Sequence, residues 1–169
     1  MRGAVMMRFL ITGIVFALAW FATAPPANAL ICGIFGCVCN VSATTLDFQD
    51  LNPLDGAQTA EGEVTVDCTG LAELFPSMAV RMQSGAHGTI SARKMRSAAG
   101  DLLDYNLYTT TQYNTIWGNG TTGVAATLSG GLLAIGHWTA TRSVYGVVTP
   151  TIATKPGSYT DTVVIRIDW

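Results

Sequence analysis

Four cysteines carry most of the reactive chemistry in this sequence of 169 residues: Cys32, Cys37, Cys39 and Cys68. Thiolates at short spacings can bind a metal ion, whereas thiols that meet an oxidising compartment form disulfides. The choice between a metal site and disulfides therefore depends on whether the chain is exported, which the N-terminus indicates.

The N-terminus has the pattern of a secretory signal. Arg2 and Arg8 give a positive start, an apolar run follows from Phe9 to about Ala24, and Ala27-Asn28-Ala29 is a small-x-small cleavage site. A membrane anchor is the rival interpretation, because the run is long for a signal. The cleavage site directly after two prolines favours removal, so we predict a signal peptide over residues 1–29 and no membrane insertion after cleavage.

Export favours disulfides over a thiolate metal site. Four cysteines allow three pairings. Cys39–Cys68 is the favoured one, because Cys39 begins the strand-like run "CNVSATTLDF" and Cys68 ends the strand-like run "EVTVDC". Cys32 and Cys37 then remain as a candidate second pair.

Two further patterns could carry chemistry, and both have a simpler interpretation. Residues 118–123, "GNGTTG", match the dinucleotide-binding pattern G-x-G-x-x-G, but no strong parallel strand precedes them and no helix follows. A glycine-rich loop is therefore predicted. His87 and His137 are far apart, each beside a glycine, and neither has a metal-ligand spacing.

The charged side chains also favour structural roles. Asp101 and Asp104 flank two leucines at the start of a strand candidate, where solvated carboxylates are usual, and "RKMR" (93–96) is interpreted as an exposed strand edge. No catalytic, cofactor-binding or metal site is predicted, and the protein is not expected to be an enzyme. Loss of the signal leaves seven basic against eleven acidic residues, which argues against a nucleic-acid partner.

Short strand candidates recur along the whole chain, and turn signals such as Asp55-Gly56 and Pro156-Gly157 separate them. The candidates are Val38–Phe48, Glu63–Cys68, Met78–Gln83, Leu102–Thr109, Val144–Pro150 and Thr160–Trp169. This spacing predicts an all-β sandwich or barrel. "LAELF" (71–75) is interpreted as one helical turn, and residues 128–138 receive no assignment.

The last candidate strand alternates with a period of two. Val163, Ile165, Ile167 and Trp169 fall on one face, while Val164, Arg166 and Asp168 fall on the other. The sequence ends on this strand, so its apolar face is expected to need a cover from elsewhere.

These segments resemble a known family when taken in order: "CNVSATTLDFQDLNP", "EGEVTVDCTG", "RKMRSAAGDLLDYNLYTTTQYNTIWGNG" and "GSYTDTVVIRIDW". From about Cys39 to Trp169 the chain resembles spore coat U domain proteins, which include pilin subunits of archaic chaperone–usher fimbriae. One departure is Gln49 in "DFQD", where the family more often has Phe-Gly.

The resemblance implies an incomplete immunoglobulin-like β-sandwich over residues 39–169 that lacks its final strand. In such pilins donor-strand complementation completes the sandwich: a periplasmic pilus chaperone fills an open groove first, and the N-terminal segment of the next pilin subunit fills it after passage through an outer-membrane usher. The implied function is a structural subunit of a surface pilus serving adhesion and biofilm formation. Val163, Ile165, Ile167 and Trp169 would line the acceptor groove.

The candidate donor strand is the N-terminal extension "LICGIFGCV" (30–38), which spans about 30 Å at about 3.3 Å per residue. Leu30, Ile34 and Val38 lie on one apolar face. The opposite face is also apolar, so the donor register stays open. A bond between Cys32 and Cys37 would make this segment a loop, because a disulfide needs Cα atoms within about 7 Å.

The alternative to a pilus subunit is a stand-alone secreted β-sandwich of the same fold. Such a protein would complete its sandwich with its own N-terminal segment and work as a binding or coat protein.

Overall fold

The computed structural model describes residues 38–74, 77–129 and 133–168. This part of the chain consists of strands and loops. No helix that could span a membrane occurs in it. The predicted signal peptide and most of the predicted extension lie outside the described residues.

Ten strands form the framework. They are β1 (Val38–Ala43), β2 (Gln58–Leu74), β3 (Ser77–Met82), β4 (Gly88–Thr89), β5 (Ala92–Ser97), β6 (Leu102–Tyr108), β7 (Ala126–Ser129), β8 (Leu133–Val148), β9 (Tyr159–Thr160) and β10 (Ile165–Asp168).

The strands form two antiparallel sheets. The larger sheet has the order β1-β2-β8-β6-β5-β4, with β9 also paired to β5, and the smaller sheet has the order β10-β3-β7. An immunoglobulin-like sandwich places strands A, B, E and D in one sheet and C, F and G in the other. Here β1, β2, β8 and β6 follow the A-B-E-D order, and β3 with β10 follows C-F. Among the described strands none takes the place of G, so the predicted incomplete immunoglobulin-like fold is confirmed.

The core lies between the two sheets and is built by alternation along each strand. Val64, Val66 and Cys68 of β2 face inward and are fully buried, as is Val80 of β3. Burial of such side chains stabilises the fold by roughly 1.5–3 kcal/mol each. Trp117, which lies in the loop between β6 and β7, fills the centre, and its indole N–H donates to the Val80 carbonyl at 2.9 Å.

The long pair of strands β2 and β8 shows that the sequence prediction for residues 71–75 is wrong, and β8 includes most of the residues 128–138 that had no assignment. "LAELF" was expected to form a helical turn, but β2 continues through Leu74, with a register shift between Thr69 and Leu71. Most of the unassigned residues 128–138 lie in β7 and in the start of β8. Pairing along the whole length of β8 outweighs the weak local helical pattern, because each added pair forms ladder hydrogen bonds.

The expectation of an exposed edge at 93–96 is wrong for Arg93. β5 lies between β6 and the short strands β4 and β9, and Arg93 is fully buried. Its guanidinium donates to the Gln83 carbonyl (Nε at 3.0 Å, Nη2 at 2.9 Å), to Asn106 Oδ1 at 2.6 Å and to the Trp117 carbonyl at 2.8 Å. A buried charge is tolerated when its donors are satisfied in this way.

Candidate functional site

An open groove of about 490 Å³ runs beside the terminal segment of the chain. One wall is formed by Ala43 and the residues 44–48 that follow β1, and the other by residues 158–163 and Ile165. Its floor is formed by side chains of the buried core. Core side chains that line it include Val64, Met82, Leu107 and Val144.

Both walls consist largely of backbone outside the described strands, although the Thr44 N–H donates to the Glu63 carbonyl at 2.9 Å and the Val164 carbonyl accepts from the Gln83 N–H at 3.0 Å. Residues 44–49 form no strand, and neither do residues 161–164 between β9 and β10. β10 pairs with β3 along one edge only, through Ile165↔Met82 to Asp168↔Ala79. An unpaired edge of this kind is a template for an added strand.

The terminal segment places its apolar side chains toward the core. Val163, Ile165 and Ile167 are half-buried and pack against the core cluster, whereas Val164 is 56% exposed. Three of the four residues predicted to line an acceptor groove therefore share one inward face, and Trp169 lies outside the described residues.

The predicted single strand Thr160–Trp169 is divided in the structure. β9 pairs with β5 in the larger sheet, and β10 pairs with β3 in the smaller one. The segment thus crosses from one sheet to the other at residues 161–164. One short segment therefore contributes a strand to each sheet. Alternation alone cannot predict this division.

The opposite wall is anchored by two side chains. Leu46 and Phe48 pack over Gly146 of β8, where a Cβ atom would lie 2.7 Å from either side chain. Phe48 also makes an edge-to-face contact with Tyr105, with ring centroids 6.5 Å apart. The wall is therefore held to the core mainly by side chains, while residues 45–48 form no strand with the described residues.

One polar pair lies in this apolar groove. The Tyr105 hydroxyl donates to Asp161 Oδ2 at 2.6 Å, and Asp161 Oδ1 accepts the backbone N–H groups of Ala86 and Thr162, each at 2.8 Å. Burial, together with the hydrogen bond to Asp161, raises the pKa of Tyr105 far above its ordinary value, so the phenol stays a donor.

The disulfide lies near the start of β1, at the end of this strand that is away from the groove. Cys39 and Cys68 are directly opposite in the β1–β2 register with Cα atoms 4.0 Å apart, and they form the bond favoured from the sequence. Cys32 and Cys37 lie outside the described residues, as do the donor candidates Leu30 and Ile34. Val38, predicted as the last residue of the donor strand, begins β1 opposite Thr69 and is 55% exposed, and its donor role stays a prediction.

The remaining candidate residues make ordinary structural contacts. His137 Nε2 lies 3.0 Å from Asp67, which also accepts a hydrogen bond from Thr139. Asp101 pairs with Lys155 at 2.6 Å, and Asp104 pairs with Lys94. No group of three histidine, cysteine or acidic side chains suited to a metal ion occurs in the described part of the chain.

Neither the Tyr105–Asp161 pair nor the burial of Arg93 was predicted from the sequence. A signal for Asp161 was present, because it has the same alternation phase as Val163, Ile165 and Ile167. A carboxylate in an otherwise apolar row indicates a specific partner.

Comparison with known proteins agrees with the sequence resemblance. The profile of the Spore Coat Protein U domain family matches residues 35–166. A search of curated proteins found no match.

A chain similar to this one occurs in the crystal structure of the CsuC–CsuE chaperone–tip adhesion subunit pre-assembly complex from archaic chaperone–usher Csu pili of Acinetobacter baumannii. The two share 16% sequence identity with a TM-score of 0.44, over 78% of this chain and 40% of that one. This chain thus spans less than half the length of that one. Because the family profile matches most of its residues, the protein belongs to the Spore Coat Protein U domain family.

Proposed function

We propose that the protein is a secreted structural subunit of a chaperone–usher surface pilus that accepts a β-strand from another molecule in the groove beside β10. The observation that carries this proposal is the one-sided pairing of β10, which bonds to β3 and, among the described strands, has no partner on its other edge beside the groove.

An added strand has two sets of bonds to make. Its backbone can pair with β10 on one side and with residues 44–48 on the other, and its alternate side chains can enter the groove between Val163 and the core. Three or four large apolar side chains would contribute about 5–10 kcal/mol at about 1.5–3 kcal/mol each.

The open groove also explains why a partner is needed from the moment of export. It exposes apolar surface together with a strand edge, and this combination promotes aggregation. A periplasmic pilus chaperone would cover the groove first. The N-terminal segment of a neighbouring pilin subunit would replace it at the outer-membrane usher, and the assembled fibre would serve adhesion and biofilm formation.

The donor role of this chain falls on residues 30–38. Deletion of Leu30–Gly36 should leave the complex with the chaperone intact and stop fibre extension from this subunit. Periplasmic co-expression followed by a gel-shift assay of the subunit ladder, with electron microscopy of the fibres, measures both effects.

A matched pair of variants resolves the donor face. Ile34→Asp should block extension if the face of Leu30, Ile34 and Val38 enters the neighbour, whereas Phe35→Asp should block it if the opposite face does. Normal fibres from the deletion would remove the donor role. Loss of the folded subunit itself would mean that the segment completes its own sandwich, as in a stand-alone binding or coat protein.

A further inference from the structure

The inward row of the terminal segment begins with a charged residue. Residues 161, 163, 165 and 167 are all half-buried, and the residues between them are exposed. Three members of this row are aliphatic and pack against the core, whereas the first is Asp161. A carboxylate in such a row loses hydration, so it persists only where hydrogen bonds replace the lost water.

Asp161 has these hydrogen bonds, and they come from three parts of the chain. The hydroxyl of Tyr105 on β6, the N–H of Ala86 in the β3–β4 loop and the N–H of Thr162 all donate to it. Gly85, at φ +84°, lets this loop approach, because a Cβ there would lie 2.1 Å from Asp161 Oδ2. The carboxylate thus joins the larger sheet, the loop and the terminal segment at one point.

The loop is also held from its other side. The buried Arg93 donates to the Gln83 carbonyl, and the Gln83 N–H donates to the Val164 carbonyl at 3.0 Å. The last residue before β10 is therefore tied to the end of β3, and Asp161 is tied to the same loop three residues further on. These contacts lie where the segment leaves one sheet and joins the other.

We propose that Tyr105 and Asp161 form a register pin, which means a pair of positioning residues that fixes the register of the terminal segment. The pin determines which side chains of residues 163–167 face the groove and how far along the groove each of them lies. Because side chains alternate along a strand, a slip of one residue would turn Val164 and Arg166 inward, and a slip of two would shift every groove side chain. The pin would thereby determine where the side chains of an added strand must fall. That last step rests on the proposed function of the groove.

Cysteine cross-linking measures the β3–β10 register directly in the full-length chain. Ala79 and Asp168 are opposite each other in the β3–β10 register. The pair Ala79→Cys with Asp168→Cys should therefore form a disulfide on mild oxidation. The pair Ala79→Cys with Arg166→Cys reports a slip of two residues, because diagonal neighbours are too far apart for easy bonding.

We expect Tyr105→Phe to raise the ratio of slipped to native cross-links about tenfold, because it removes one buried hydrogen bond to a charged group. Asp161→Ala should raise it further. Asp161→Asn should fall close to Tyr105→Phe, since its amide oxygen can still accept the two backbone N–H groups but the charged acceptor of the Tyr105 hydroxyl is lost. Asp104→Asn, on the same strand as Tyr105 but paired at the surface with Lys94, is the matched control. Mass spectrometry of digests measures the ratios.

Unchanged ratios in both Tyr105→Phe and Asp161→Ala would overturn the register pin. If Asp161→Ala fails to fold, Tyr105→Phe still decides the matter, because it keeps the aromatic ring in the core. Cross-linking reads the register without any added strand. A failure to bind a donor strand would therefore refute the proposed function, whereas unchanged register would refute only the pin.

Discussion

The centre of the larger sheet and the terminal strand differ in how many neighbours they have. β2 and β8 pair from Gln58↔Val148 to Leu74↔Leu133, and each has a further strand on its outer side. Among the described strands, β10 has one neighbour, with which four of its residues pair. Val64 and Val66 at the centre are fully buried, whereas Ile165 and Ile167 are only half-buried.

Both regions have the same alternation of β-branched residues, so the difference does not come from local sequence preference. It comes from the lack of a second neighbour for β10 in the described part of the chain, because a side chain in a sandwich is covered by strands on both sides of it as well as by the opposite sheet. The amide groups of β2 and β8 should therefore exchange hydrogen slowly, and those of β10 much faster until a strand is added.

The largest expected effect comes from a substitution on the inward face of β10. Ile165→Asp should abolish recovery of a soluble chaperone-bound subunit, because it places an unpaired carboxylate in the groove and against the core. Val164→Asp should be much milder, since that side chain is exposed. Periplasmic co-expression and affinity recovery of the complex measure the two yields.

Equal losses from the two changes would show that the inward and outward faces of this strand do not differ in function. Equal recovery would show that the groove does not hold a partner's side chains at this position.

The next effect concerns the buried arginine that holds the end of β3, the strand paired with β10. Arg93→Ala should lower the free energy of unfolding by about 3–5 kcal/mol, because it leaves a cavity and several buried acceptors without donors. Arg93→Lys should recover only part of this, since an ammonium lacks the planar fork of the guanidinium. Urea denaturation of the purified chain measures both.

Arg96→Ala is the control for Arg93, because Arg96 lies on the exposed face of the same strand. Its effect should stay within about 0.5 kcal/mol. A similar loss from Arg96→Ala would mean that the basic cluster, rather than the buried network, stabilises β5.

The smallest effect lies on the outer face of the well-paired region. Hydrogen bonds from His137 and then Thr139 hold the pKa of Asp67 below its ordinary value of 3.8. A depressed folded-state pKa means that this stabilisation is present above pH 3.8 and is lost as the pH falls through the lower folded value. Asp67→Asn should therefore reduce the thermal midpoint slightly at neutral pH, and the difference from wild type should vanish in strong acid. A difference that persists there would show that the charge is not its cause.

The fold class and the disulfide were predictable because they depend on local signals. Strand alternation, turn residues and a pair of cysteines in strand-like runs survive in the structure. The burial of Arg93 and the division of the last predicted strand into β9 and β10 were not predictable, because both depend on which segments meet in three dimensions. An arginine in "RKMR" gives no sign that three parts of the chain present oxygen atoms to it.

In the proposed fibre, the disulfide between Cys39 and Cys68 would have a mechanical consequence. Tension applied through the segment before Cys39 would reach the chain at the start of β1, an edge strand of six residues. Edge strands that are pulled from one end unzip one hydrogen bond at a time. Here the covalent link lies at the second residue of the strand, so the load passes directly into β2 and the ladder beyond it is shielded. This edge strand of the larger sheet is thereby removed from the path of the force.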